Sequence, residues 1–104
     1  MTASDNEFFQ GKRVLVTGCC GTMGGELVRR LLGMHDGPRE VIGIDNNESA
    51  LFAQGLEWAA DRRVHFFLCD LRDARTLGDI MADVDIVLHS AALKHVVMCE
   101  RSPM

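Results

Sequence analysis

Tyrosine is absent from the 104 residues, which include one tryptophan and two prolines. No Pro- or Gly/Ser-rich linker, repeat or low-complexity stretch divides the chain, so it reads as one small domain with one core. No apolar run is long enough to span a bilayer. The N-terminus lacks the basic-then-apolar pattern of a secretory signal. Basic residues are outnumbered, 11 Lys and Arg against 15 Asp and Glu, and the net charge of -4 argues against a general nucleic-acid or anionic-membrane binder. Cys19, Cys20, Cys69 and Cys99 form no C-x-x-C pair, and no histidine stands at zinc spacing. They predict free thiols of a cytoplasmic protein and no metal site.

What is present is ordered around glycine. The apolar run Val14-Leu15-Val16 meets Thr17-Gly18-Cys19-Cys20-Gly21-Thr22-Met23-Gly24, a T-G-x-x-G-x-x-G pattern, and a helical pattern follows at once. Strand, glycine turn and helix in that order make the arrangement that holds a dinucleotide pyrophosphate. Gly18 permits a sharp exit from the strand. Gly21 lets backbone approach phosphate oxygens, and Gly24 lets the helix pack closely on the sheet. The helix N-terminus then presents N–H groups and partial positive charge to the anion. Three glycines at this spacing exceed what a plain tight turn needs. Cys19 and Cys20 read as small residues filling that turn; a thiol pKa lowered by the helix end is the alternative.

A second apolar run, Val41-Ile42-Gly43-Ile44, ends in Asp45. A carboxylate there accepts hydrogen bonds from both ribose hydroxyls of an adenosine and repels a 2′-phosphate. The residues that follow are Asn46, Asn47 and Glu48, with no cation, so NAD is favoured and NADP is the alternative.

The pattern alternates along the rest of the chain. Strands are expected at 13–17, 40–44, 64–68 and 86–88. Helices are expected at 24–34, 48–59 and 74–82, the second with Leu51, Phe52, Leu56 and Ala59 on its buried stripe. Residues 1–11 read as a flexible lead-in and 12–104 as the nucleotide-binding domain. Strands that are nearly all apolar belong to a parallel sheet covered on both faces. Right-handed crossovers then give an α/β, Rossmann-type, doubly wound half-domain with strand order 3-2-1-4. After strand three, Asp70 is placed to accept from an adenine amino group. After strand four, His89-Ser90-Ala91-Ala92-Leu93-Lys94-His95 offers small residues against which a cofactor can lie. The outer edge of strand four is expected to be open, which favours self-association as a homo-oligomer.

Together the T-G-x-x-G-x-x-G loop, Asp45, Cys69-Asp70-Leu71-Arg72-Asp73 and His89-Ser90-Ala91-Ala92-Leu93-Lys94-His95 resemble the extended short-chain dehydrogenase/reductases. The resemblance is to the nucleotide-sugar 4,6-dehydratases of polysaccharide biosynthesis that act on UDP-N-acetylglucosamine. Ala91-Ala92-Leu93-Lys94-His95 followed by Cys99-Glu100-Arg101-Ser102-Pro103 is the narrower signal, and the likeness covers Lys12 to Met104. It implies a pyrophosphate loop at Gly18, Gly21 and Gly24, with phosphate contacts from Thr17, Thr22 and Met23. It implies a ribose acid at Asp45, an adenine pocket at Asp70 and Leu71, and a wall beside the nicotinamide ribose and substrate entrance at Ala91, Ala92 and Lys94.

The resemblance also implies a Tyr-x-x-x-Lys pair for the redox and elimination chemistry, and this chain has no tyrosine. No catalytic residue is therefore assigned. The expectation is the NAD-binding, N-terminal portion of a longer nucleotide-sugar dehydratase or epimerase whose helix after strand four is cut short, not catalytic alone. The alternative is a stand-alone NAD- or nucleotide-binding module or remnant.

Overall fold

Branched aliphatic residues favour extended backbone because their side chains pack well on a pleated surface. In the computed structural model, which describes residues 7–90 and the backbone of residues 97–100, the four apolar runs form strands of one sheet. These are β1 (Arg13–Thr17), β2 (Glu40–Asp45), β3 (Val64–Leu68) and β4 (Ile86–His89). Between them lie helices α1 (Thr22–Gly33), α2 (Glu48–Glu57) and α3 (Ala74–Met81). β1 pairs in parallel with both β2 and β4, and β2 with β3, giving the expected order 3-2-1-4.

Side chains alternate between the two faces of each strand. Val14, Val16, Val41, Ile86 and Leu88 join Val28, Leu31 and Leu51 in the core on the face of α1 and α2. Leu15, Ile42 and Ile44 join Val84 on the other face, where Leu77, Ile80 and Met81 of α3 pack. Helices on both faces make the sheet doubly wound. Leu15, Leu31, Ile44 and Ile86 are fully buried, each contributing about 2–3 kcal/mol of transfer free energy.

Three expectations are corrected. The sequence predicts a helix after strand four and an open edge. Instead Val97–Glu100 form β5, antiparallel to β4, with Ile86 opposite Glu100 and His89 opposite Val97. Residues 90–96 are fewer than the dozen or so that a parallel crossover needs, so a strand pairing here returns antiparallel. The argument for self-association through a bare β4 edge falls with it.

The second correction concerns α2. Its buried positions are Leu51 and Gln54, with Trp58 just past its end packed against the same core, whereas Phe52 and Leu56 are exposed. The helix is turned so that a glutamine faces inward; the site explains why. Phe67 and Leu68 on β3 are also exposed, so the edge of the sheet is not covered on both faces.

The third lies in the lead-in. Glu7–Phe9 form a helical turn, and Phe9 is buried in the α1–α2 core with Phe8 packed against its ring edge-on. The Gly11 amide also bonds to the Gly37 carbonyl at 3.1 Å. From Glu7 onward the segment belongs to the folded body. Phe9→Ala is accordingly expected to cost about 3 kcal/mol, read as a lowered midpoint in urea denaturation; an unchanged midpoint would return the segment to a loose tail.

Candidate functional site

The C-terminal ends of β1, β2 and β4 lie level, Thr17 beside Ile44 on one side and His89 on the other. At this edge the chain leaves β1 and enters α1. Gly18 has φ +68°, a left-handed conformation that side chains disfavour. The Gly21 amide closes the turn on the Gly18 carbonyl at 3.1 Å. Gly24 sits on the first turn of α1, where an added Cβ would lie 2.0 Å from the Gly18 oxygen and 2.9 Å from the Cys19 Cα. No other residue fits unless the helix lifts away. Gly21 differs: its φ is −73°, and a Cβ there would meet only the Gly18 oxygen, at 3.4 Å. The fold has room for a side chain at Gly21.

α2 and α3 are capped by side chains, Asn47 Oδ1 accepting from the Ala50 amide at 3.1 Å and Asp73 Oδ1 from Thr76 at 3.2 Å. Gly21 at the head of α1 offers no side-chain oxygen, and the first turn carries no acid. Its amides are left for an outside acceptor, at the positive end of the helix dipole. Thr22 and Met23 are exposed there.

Asp45 ends β2 beside this turn. Its Oδ2 accepts from the Cys20 amide at 3.1 Å and its Oδ1 from the Asn47 amide at 2.9 Å. Asn47 takes the cap of α2, which frees Asp45 to hold the turn. The Cys69 amide bonds to the Asp45 carbonyl at 3.0 Å, so the chain after β3 leaves the sheet next to Asp45. Asp70 and Leu71 therefore lie on the same side as the glycine turn. Leu71 is exposed, but both Asp70 oxygens are engaged by Arg72, whose Nη2 and Nε donate at 2.7 and 3.1 Å. That side-chain bonding holds the Asp70 carboxyl down at about 2.

Thr17, expected as a phosphate contact, is buried, and its hydroxyl lies 2.6 Å from His89 Nδ1. It ties β1 to β4. Ala91, Ala92 and Lys94 lie outside the described residues.

One contributor escaped sequence reasoning, and Ser90, named only as part of a small-residue stretch, takes a structural role. Gln54 is buried on α2; its Nε2 donates to the Cys19 carbonyl at 3.0 Å and its Oε1 accepts from the Cys20 thiol at 3.3 Å. A glutamine three residues after Leu51, on the apolar face, was the available signal. Ser90 is buried, and its hydroxyl donates to the Thr17 carbonyl at 2.5 Å. The cysteines do not behave as activated nucleophiles. Burial foremost, then their mutual proximity and the Asp45 charge, push the Cys19 thiol up. Burial and Asp45 push up Cys20.

Residues 14–104 match the family described as polysaccharide biosynthesis protein. The chain belongs to that family. It is 39% identical over 94% of its length to an "uncharacterized membrane protein" of Methanocaldococcus jannaschii. It is 34% identical over 92% to an inverting UDP-N-acetylglucosamine 4,6-dehydratase of Campylobacter jejuni. Among solved structures, a dTDP-glucose 4,6-dehydratase of Streptomyces venezuelae superimposes with a TM-score of 0.64 and 37% identity, over 80% of this chain and 27% of that one. The chain spans 28% of the length of the two curated relatives. The family is one of extended short-chain dehydrogenase/reductases. Among the described residues no helix is long and apolar enough to cross a membrane.

Two variants separate the roles of the glycines. Gly24→Ala is expected to cost about 3 kcal/mol or more through backbone overlap, and Gly21→Ala less than about 1 kcal/mol, both by urea denaturation; equal costs would refute the packing role of Gly24. Arg72→Ala should raise the Asp70 pKa from about 2 toward its ordinary 3.8, followed by carboxyl-carbon NMR. The folded-state pKa is depressed, so the pair's contribution is present above pH 3.8 and lost as the pH falls through about 2.

Proposed function

We propose that this chain is the dinucleotide-binding portion of a nucleotide-sugar 4,6-dehydratase or epimerase, and that it takes NAD in preference to NADP. The proposal is carried by one juxtaposition: the side-chain-uncapped N-terminus of α1, the bare Gly21 and the Asp45 carboxylate meet at the C-terminal edge of a parallel sheet. In sheets of this kind ligands bind at that edge. The family match, and relatives whose names include dehydratases and 4-epimerases of nucleotide sugars, support the substrate class.

The residues fit the cofactor. The first-turn amides of α1 accept a pyrophosphate without displacing a side-chain cap, and Gly21 lets it approach. Each Asp45 oxygen accepts one backbone N–H and retains acceptor capacity for a ribose hydroxyl. No cation pairs with Asp45 among the described residues, so a 2′-phosphate would meet uncompensated negative charge. Leu71 and Met23 offer apolar surface beside the adenosine. Ala91, Ala92 and Lys94 remain the proposed wall toward the substrate. When bound, the nicotinamide supplies the acceptor and donor of a hydride. Proton transfer needs a positioned base, and the tyrosine expected for it is absent from these residues. The chain by itself is therefore proposed to bind without turning over.

Titration calorimetry with both cofactors tests this. NAD should bind more tightly than NADP, and Asp45→Asn should weaken NAD about tenfold while narrowing the gap. Gly21→Val should abolish binding with the circular dichroism spectrum kept. Tighter NADP binding would overturn the ribose assignment. Incubated with NAD and UDP-N-acetylglucosamine, the chain should leave the sugar unchanged by NMR and mass; turnover lost on Lys94→Ala would make Lys94 catalytic.

A further inference from the structure

We propose that Cys19, Cys20 and Asp45 form a site for one thiophilic divalent cation of the zinc–cadmium class behind the glycine turn, and that its occupancy weakens dinucleotide binding. The spacing of the cysteines in the chain gives no hint of this, because adjacent cysteines are not a zinc pattern and Asp45 lies far along the sequence. The fold brings them together. The two Sγ atoms and a carboxylate oxygen of Asp45 all lie within 4.8 Å of one another. Tetrahedral zinc with sulfur at about 2.3 Å and oxygen at about 2.1 Å needs its ligand atoms roughly 3.5–3.8 Å apart. Small side-chain rotations close that difference.

A further oxygen is already in place. Gln54 Oε1 lies 3.3 Å from the Cys20 sulfur, and Gln54 is only 9% exposed. This buried amide oxygen stands beside one of the two sulfurs and is the proposed fourth donor. Cys19 is wholly buried behind the turn, against Gly43, where an added Cβ would come within 2.9 Å of its sulfur. Cys20 and Asp45 are half-buried, so the ion enters from their side. Among the described residues no ion pair is made to Asp45: the cationic partners of the acids are paired elsewhere. Burial and the Asp45 charge both push the two thiols up. A divalent ion reverses both effects. It exchanges for two thiol protons, leaving a complex of two thiolates, one carboxylate and one ion with a net charge of −1.

The link to the cofactor follows from the shared residues. The carboxylate that would take the ion is the one proposed for the ribose, and Cys20 contributes its amide to the same carboxylate. Drawing the sulfur and carboxylate inward removes the ribose acceptor and shifts the turn. This second half rests on the proposed dinucleotide site; the cation site does not.

The test uses the reduced full chain carrying Cys69→Ser and Cys99→Ser, titrated with Cd2+ alone. Thiolate-to-metal charge-transfer absorbance should saturate at one equivalent with two protons released. Cys20→Ser should abolish it, and Asp45→Asn should weaken it about tenfold or more. Both positions are half-buried, and circular dichroism checks that each variant is folded. Absence of the absorbance in this background, or its persistence in folded Cys20→Ser, would overturn the site. In the second arm Cd2+ should weaken NAD affinity about tenfold in the parent and leave Cys20→Ser unaffected. Cadmium binding with NAD affinity unchanged would overturn the competition. A chain that binds Cd2+ but never binds NAD would refute the dinucleotide site and leave the cation site standing.

Discussion

The backbone contact between Gly24 and Gly18 sets the position of everything at the site. α1 can approach the end of β1 only because neither residue presents a Cβ into the gap, where one on Gly24 would sit 2.0 Å from a carbonyl oxygen. That distance fixes where the first-turn amides stand relative to the sheet edge. It also pushes Cys19 into the core, into space that Gly43 leaves free between Cys19 and Phe66. A helix displaced by a methyl group would misplace the amides and open the core together, because interiors at crystal-like density have no slack to absorb the shift.

A second layer of bonds keeps the turn in one shape. Asp45 holds the Cys20 amide, while Gln54 reaches across from α2 to the Cys19 carbonyl and the Cys20 thiol. Ser90 donates to the Thr17 carbonyl from the far side. Two strand ends and one helix thus grip two consecutive cysteines and the residue before the first glycine. A turn held this way has little conformational entropy left to lose when an anion docks, which is how preorganisation raises affinity. The polar groups that do the holding are mostly buried, where an unmade hydrogen bond is costly. The turn is therefore rigid for the same reason that its partners cannot be trimmed freely.

Much of this was legible in the chain. The apolar runs ending in Thr17 and Asp45 are strands because aliphatic residues fill them, and β3 spans the residues the pattern marks. The glycine triplet announced both the turn and the close-packed helix. The stripe of α2 was misjudged because Phe52 and Leu56 look like core by hydrophobicity, whereas the helix turns to place Gln54 against the glycine turn. That orientation lets Gln54 donate to the buried Cys19 carbonyl and accept from the Cys20 thiol, contacts that hydrophobic period does not register. The burial of Phe9 is not visible in the sequence because two adjacent aromatics in a polar stretch show no helical or strand period. Asp70 follows β3, where the sequence predicts an acceptor for an adenine amino group, and its engagement by Arg72 depends on a local turn that spacing does not reveal.

By itself the sequence determined the alternation of strand and helix, the parallel order of the first four strands, the glycine turn and the acid that ends β2. Those follow from local rules: apolar runs, helical periodicity, the absence of a Cβ and the handedness of crossovers. Only the tertiary structure decided that Gln54 rather than Phe52 faces inward. It also decided that the strand after β4 returns antiparallel, and that two thiols and a carboxylate from different strand ends share one small volume. These depend on distances between segments remote in sequence, set only when the helices and the sheet pack together.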